Sequence, residues 1–315
     1  MRWGLVMAIA IATTVQVQAQ VTPQPLPNVT VGSIERLSHF PSRYVEARDI
    51  DVWLPPDYSA DKRYQVLYMQ DGQMLFDATT SWNKQAWNVH LNLAALMARG
   101  EVADTLIVAI PNAGKYRYSE YFPKKHLAGV PQRLRKDYVR RALLGKVRSD
   151  AYLRFIVKEL KPAIDKRFST RPEAASTFIM GSSMGGMISV YAMCEYPQVF
   201  GGAAAMSTHW VGKPSAWGKP EKIQNTAFPM AAFRYLQQHL PAPTTPTTHR
   251  LYMDHGTTGL DVIYGPHQGF VDEIVREAGY TDTNWQSRVF EDAGHTEKDW
   301  SARVDIPLQF LLSKP

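Results

Sequence analysis

Cysteine is nearly absent: Cys194 is the only one in 315 residues. A single thiol excludes an intramolecular disulfide, so the fold has to rest on its buried core. Cys194 lies among apolar, helix-forming residues, which marks it as a packing residue rather than a nucleophile. Long hydrophobic runs are missing beyond the first residues. Nothing later approaches the roughly 18 consecutive apolar residues of a membrane-spanning helix, so no integral membrane segment is expected after the N-terminal one is removed. The chain also lacks an H-E-x-x-H helix, a close Cys/His cluster and the glycine patterns of nucleotide-binding loops. No metal and no cofactor is therefore implied. No internal repeat and no Ser/Gly-rich linker divides it.

What is present suits one large domain. Hydrophobic residues make up 45% and aromatics 11%, enough for a sizeable core. Arg2, the apolar run from Leu5 to Val15, and Val17 and Ala19 as β-branched and small residues at the −3 and −1 positions predict a signal peptide over residues 1–19, cleaved after Ala19. A periplasmic or secreted location follows; an uncleaved N-terminal anchor is the alternative. Residues 20–35, with Pro23, Pro25 and Pro27, read as an extended leader, and residues 36–315 as a single α/β domain. Asn28-Val29-Thr30 matches a glycosylation sequon inside that leader.

The formal net charge is +6. Much of it is local: eleven Lys and Arg lie between Lys115 and Arg148, against two acids, Glu120 and Asp137. Such a cluster is either a solvated helical face or a basic rim that attracts anionic substrates. No nucleic-acid-binding motif accompanies it, so nucleic acid is not an expected partner.

Strand-like and helix-like runs alternate, which predicts βαβ units and a mainly parallel sheet flanked by helices. Strands are expected at Asp49–Leu54, Gln65–Met69, Thr105–Ile110, Thr177–Met180, Gly202–Met206, Arg250–Met253 and Gln286–Phe290. Helices are expected at Trp87–Met97, Tyr152–Phe168 with a kink at Pro162, Met184–Glu195, Phe228–His239, Val262–Ala278 and Ser301–Leu312. Residues 111–149 show no strand, and a stretch of that length predicts an insertion able to cap a pocket.

Gly181-Ser182-Ser183-Met184-Gly185 matches G-x-S-x-G where an apolar strand runs into a small-residue helix. In that setting the serine occupies a sharp turn and projects its hydroxyl at a helix N-terminus. Ser183 is the candidate nucleophile; Ser182 competes but is one residue out of register with the glycines. A serine needs a base. His295, on the loop after the last expected strand, follows the nucleophile in the chain as a histidine base should. His39, His90, His249 and His267 lack such a setting. The orienting carboxylate should follow a strand between the two, which favours Asp261; a helix cap is its bland alternative, and Asp254 and Asp292 remain open. Two amides should cradle an oxyanion: Met184 N–H after the nucleophile, and Gln73 N–H after the Gln65–Met69 strand. Trp87, Tyr116, Arg117 and Tyr121 are candidates for substrate contact. Aromatics are equally ordinary core material.

These segments carry a resemblance from about Val45 to Leu312. V-L-Y-M-Q-D-G-Q-M-L-F-D (Val66–Asp77), W-N-K-Q-A-W-N-V-H (Trp82–His90), S-E-Y-F-P-K-K (Ser119–Lys125), G-S-S-M-G-G (Gly181–Gly186) and A-G-H-T-E-K-D-W (Ala293–Trp300) resemble the esterase family of esterase D, the enterochelin esterases and the mycolyl acyltransferases. The resemblance implies an α/β-hydrolase fold, with nucleophile, acid and base at Ser183, Asp261 and His295 and an oxyanion amide at Gln73. Similar proteins often carry an acid where this chain has His90. The resemblance implies hydrolysis or acyl transfer and fixes no substrate; the activity expected is hydrolysis of a carboxylic ester, small-molecule or carbohydrate, and the basic segment and its aromatics are compatible with an anionic or aromatic one. An acyltransferase using the same triad and a non-catalytic binding module on the same fold are the rival readings.

Overall fold

A computed structural model of the chain describes residues 25–212, 226–243 and 249–314. The expected signal peptide lies outside them, as do residues 20–24 of the expected leader. Eight strands form one sheet: β1 (Ser33–Phe40), β2 (Arg48–Leu54), β3 (Gln65–Met69), β4 (Thr105–Ala109), β5 (Thr177–Ser182), β6 (Gly202–Met206), β7 (Arg250–Gly256) and β8 (Trp285–Phe290), in the order β1-β2-β4-β3-β5-β6-β7-β8. The pairs of β2 with β1 and with β4 are antiparallel, and every other pair is parallel.

Strands β3 to β6 are buried along their whole length, as continuous apolar runs in a parallel sheet demand. Successive side chains serve opposite faces. Val66, Tyr68, Ile179 and Ala205 enter one core layer, while Leu67, Met69, Met180 and Ala204 enter the other. Helices α4 (Ser149–Phe155), α5 (Lys161–Arg167), α6 (Met184–Glu195), α7 (Ala227–His239) and α8 (Tyr264–Glu277) contribute to the first layer; α1 (Val89–Ala98) and α10 (Asp305–Leu312) contribute to the second.

Four departures from the sequence expectations have physical causes. Strand β1 was not expected, and it starts three residues inside the segment read as leader, so ordered structure begins before residue 36. It is a polar edge strand without clean alternation. Arg36 holds it through Asp51 of β2, at 2.6 and 2.7 Å. Upstream, Trp53 donates its indole N–H to the Val31 carbonyl at 2.9 Å, and Gly32 (φ 74°) lies so close to that ring that a β-carbon would collide with it. The long helix before β5 widens to a π turn at Ile156–Leu160, and Pro162 falls at the start of α5, where a missing N–H is tolerated. The last helix is two, α9 (Glu297–Ser301) and α10, because Pro307 suits only a first turn.

Finally, residues 111–149 are not simply laid over the body. Helix α2 (Arg117–Tyr121) packs on α4 and α6, and the 3₁₀ segment Lys124–Gly129 packs on α7. Helix α3 (Gln132–Ala142) buries only Tyr138, against Phe122 and Phe228 with ring centroids at 4.9 and 4.4 Å. Among the described residues no helix is long and apolar enough to cross a membrane.

Candidate active site

The loops after β3, β5, β6, β7 and β8 all leave the same edge of the sheet, the C-terminal edge where α/β folds gather ligand-binding groups. Ser183 follows β5 with φ 57° and ψ −122°, a conformation side chains rarely adopt and one that costs about 1–3 kcal/mol. Three backbone bonds hold it there: Ser183 N–H donates to Met206 O at 2.8 Å, and Ser183 O accepts from Met187 N–H at 3.1 Å and His209 N–H at 3.2 Å. The turn also needs glycine. A β-carbon on Gly181 would stand 2.7 Å from the Gly185 backbone, and one on Gly186 would press on Thr208 and Ala205. Ser183 is thereby set at the N-terminus of α6, where unpaired N–H groups favour negative charge.

Asp261 and His295 meet directly. His295 Nδ1 lies 2.6 Å from Asp261 Oδ1, with the carboxylate fully buried and the imidazole nearly so. Their loops are sewn together by Thr257 N–H and Thr258 N–H, both donating to Ala293 O at 3.0 Å. Gly256 makes the crossing possible, since a β-carbon there would lie 2.1 Å from Ala293 O. The other carboxylate oxygen of Asp261 accepts from Gly256 N–H at 2.8 Å and Ser207 Oγ at 2.6 Å. Burial alone would raise the Asp261 pKa, but the bonds from His295, Ser207 and Gly256 outweigh it and hold the carboxyl below its ordinary value.

After β3, Asp71 adopts the left-handed region (φ 53°) and opens a 3₁₀ turn at Gly72–Met74, which carries Gln73. Arg117 binds the Asp71 carboxylate with both arms, at 2.7 Å each, and Asn112 Nδ2 adds a third bond at 2.6 Å. Burial opposes the Arg117 charge, and Asp71 overcomes that, leaving the guanidinium pKa raised. The Asp71 carboxylate also lies against Gly185, 3.2 Å from where a β-carbon would stand. The Gln73 turn thus packs against the start of α6.

Residues 43–306 match the family model described as "Putative esterase". The chain belongs to this esterase family. Among curated relatives, the uncharacterized protein YjcH of Bacillus subtilis is 23% identical over 56% of this chain and 62% of its own. The endo-1,4-beta-xylanase/feruloyl esterase of Xylanibacter ruminicola is 24% identical over 55% of this chain and 21% of its own. The matches thus span less than two thirds of these relatives. Similar solved structures include a ferulic acid esterase (TM-score 0.58, 18% identity, 89% of this chain and 96% of that one) and the enterobactin esterase of Shigella flexneri with 2,3-dihydroxy-N-benzoyl-glycine (0.54, 16%, 91% and 61%). The fold is the α/β-hydrolase fold of such esterases.

In this member of the esterase family Trp87 is buried, its ring 5.5 Å from that of Trp300, which meets the His295 ring edge to face at 4.9 Å. Tyr121 is fully buried, and its hydroxyl accepts from Asp71 N–H at 3.1 Å. Arg117 is committed to Asp71. Tyr116 lies under the Arg148 guanidinium at 4.0 Å. The alternative acid Asp254 is wholly buried, and Arg303 holds it at 3.0 and 3.2 Å. The other, Asp292, is exposed in a turn at φ 61°. Ser182 is the buried last residue of β5. His90 is buried beside the Phe76 ring. Of the eleven clustered cations, Arg117, Lys124, Lys125, Arg140, Arg141 and Arg148 are in ion pairs, which weakens the field a bare count suggests. Among the described residues no cluster of His, Cys, Asp or Glu is arranged to hold a metal ion.

Three residues went unnoticed in the sequence. Ser207, after β6 at φ 45°, donates to Asp261 and accepts from Trp300 Nε1 at 2.9 Å and Arg303 Nη2 at 3.1 Å. Its hydroxyl is fully used. Tyr264, at the start of α8, has its hydroxyl 2.6 Å from His209 Nδ1. Its ring centroid is 5.7 Å from that of His295. Burial, helped by the nearby His295, lowers the His209 pKa to about 3, so that imidazole is neutral. Single Ser, Tyr and His residues without a motif give no sequence signal for such contacts.

Proposed function

We propose that this esterase-family chain is a serine carboxylic-ester hydrolase working through an acyl-enzyme. His295 takes the Ser183 proton, and Ser183 Oγ attacks the ester carbonyl carbon. The amides of Gln73 and Met184 hold the resulting oxyanion. The tetrahedral species then collapses, His295 gives the proton to the leaving alkoxide, and the acyl group remains on Ser183. A water, deprotonated by His295, releases the acid and restores the serine. Asp261 keeps the proton on Nδ1 and stabilises the imidazolium that forms twice per cycle.

The observation carrying this reading is the 2.6 Å contact between His295 Nδ1 and a buried Asp261 carboxylate, at the same sheet edge as a serine held at a strained strand-to-helix turn. A packing role would not require that strain. The substrate we assign is a small-molecule or carbohydrate ester; the likeness to ferulic acid and enterobactin esterases supports an ester of an aromatic acid. Steady-state turnover of a 4-nitrophenyl ester by Ser183→Ala tests the proposal. A loss of three or more orders of magnitude in kcat is expected, and a variant keeping a tenth of the wild-type rate would refute it.

A further inference from the structure

The formal charge of the chain is +6, and residues 131–146 supply +5 of it: Arg133, Arg135, Lys136, Arg140, Arg141 and Lys146 stand against Asp137 alone. The rest of the chain is close to neutral, so its positive charge is gathered on α3 and the turn that follows. The helix buries only Tyr138. On its solvent side Arg133, Lys136 and Arg140, three and four residues apart, share one exposed face, with Arg141 and Lys146 beside them. Arg140 and Arg141 divide the single Asp137 carboxylate between them, at 2.8 and 2.7 Å, and stay mostly exposed. Arg133, Lys136 and Lys146 have no acid partner among the described residues. Apolar surface lies among these charges. Leu144, just past the helix, is 51% exposed at φ 53°, a conformation that glycine usually fills at a helix end. The turn is backbone-bonded, with Gly145 N–H donating to Val139 O at 2.9 Å and Lys146 N–H to Leu143 O at 3.1 Å. Beside α3 runs a cleft of about 690 Å³, lined by Leu127, Val139 and Val147 together with Arg135, Lys136 and Arg140.

We infer that α3 and its Leu144 turn are a docking surface for an anionic lipid bilayer. Charge alone would suit any polyanion, but an acidic polysaccharide would leave Leu144 and the apolar lining of the cleft in water. A bilayer uses both. Its headgroup phosphates meet the guanidinium and ammonium groups, while the leucine and the long Lys and Arg stems enter the boundary between headgroups and acyl chains. Each Lys or Arg near such a surface strengthens attachment by about fivefold, within a Debye length of about 10 Å at 0.1 M salt. One exposed leucine is too little to hold a protein by itself, so the attachment is reversible and salt-sensitive. Because the remaining charge is nearly balanced, no second basic face competes, and α3 sets the orientation on the membrane. This surface is separate from the Ser183 site and does not depend on the chemistry proposed there.

Co-sedimentation of the full chain with vesicles tests this, using phosphatidylcholine alone and phosphatidylcholine with about 30% phosphatidylglycerol. At about 50 mM salt the wild type should bind the anionic vesicles at least about tenfold more tightly than the neutral ones, and most of that binding should vanish at about 0.5 M salt. The triple variant Arg133→Gln/Lys136→Gln/Arg140→Gln should bind at least about tenfold more weakly. Leu144→Ala should weaken binding by about two- to fivefold. All four substituted side chains are exposed, so thermal midpoints should stay within about 2 °C of wild type and report an intact fold. Ser183→Ala should bind vesicles as the wild type does. Equal binding to both vesicles, or wild-type binding by the triple variant or by Leu144→Ala, would overturn the docking surface. Binding to soluble polygalacturonate with none to vesicles would do so as well, and would make the patch a site for an acidic polysaccharide.

Discussion

Arg117 grips Asp71 through two parallel bonds of 2.7 Å, Nε to Oδ1 and Nη2 to Oδ2, and so fixes a left-handed backbone turn against the first residues of α6. A planar fork matched to a carboxylate gives direction as well as energy, which a lysine cannot reproduce. The pair touches no reacting atom. It positions the turn that carries Gln73. Replacing Arg117 by Gln should lower kcat by about 10- to 100-fold, with KM within about threefold, because a misplaced oxyanion donor is felt mainly in the transition state. Arg117→Lys should fall between the two. Steady-state kinetics on one aryl ester checks this, and a change confined to KM would instead make Arg117 a substrate contact.

Asp261 has its two oxygens divided between His295 and the Ser207/Gly256 pair. Asp261→Asn should reduce kcat by about 10³- to 10⁴-fold, since an amide can turn its NH₂ towards Nδ1 and impose the wrong tautomer. Ser207→Ala removes one of the hydrogen bonds to Asp261, a net contribution of about 0.5–1.5 kcal/mol, and should cost only about 2- to 12-fold in kcat. Reversal of that order, measured on the same ester, would place the important contact at Ser207.

Asp254 is paired with Arg303 in the interior, and the role expected of it is stability. Removing the carboxylate leaves Arg303 buried without its counter-ion, which costs about 3–5 kcal/mol. Asp254→Asn should lower the denaturation midpoint clearly while the remaining folded enzyme keeps kcat within a few-fold. A collapse of kcat at unchanged stability would make Asp254 the catalytic acid.

Acid should act on the Asp261 site in a defined direction. Its pKa is lowered in the folded chain, so the stability it contributes is complete above the unfolded value of about 3.9 and is lost as pH falls through the lower folded value. Wild type and Asp261→Asn should therefore differ most in thermal midpoint above about pH 4, and the gap should shrink towards pH 2. A gap that widened with acid would contradict the lowered pKa.

The sequence made the parallel core and the loop-borne residues readable because each leaves a local mark. Buried strands such as Thr105–Ala109 are unbroken apolar runs, and a serine between glycines at a strand end reports its own turn. Contacts between distant, unpatterned residues leave none. Ser207 reaches Asp261, and Tyr264 reaches His209, only once the connections after β6 and β7 share an edge. Aromatic residues misled for a related reason: composition does not separate Trp87, packed on Trp300, from Trp82 in solvent. Strand β1 escaped notice because its edge position removes the need for alternation.

The most direct test of the account is covalent. Incubating the protein with a fluorophosphonate and sequencing its peptides by mass spectrometry should place one phosphonyl group on Ser183, absent from Ser183→Ala and much slower to form in His295→Ala. Labelling at another residue, or none while the ester is still hydrolysed, would contradict a nucleophilic Ser183.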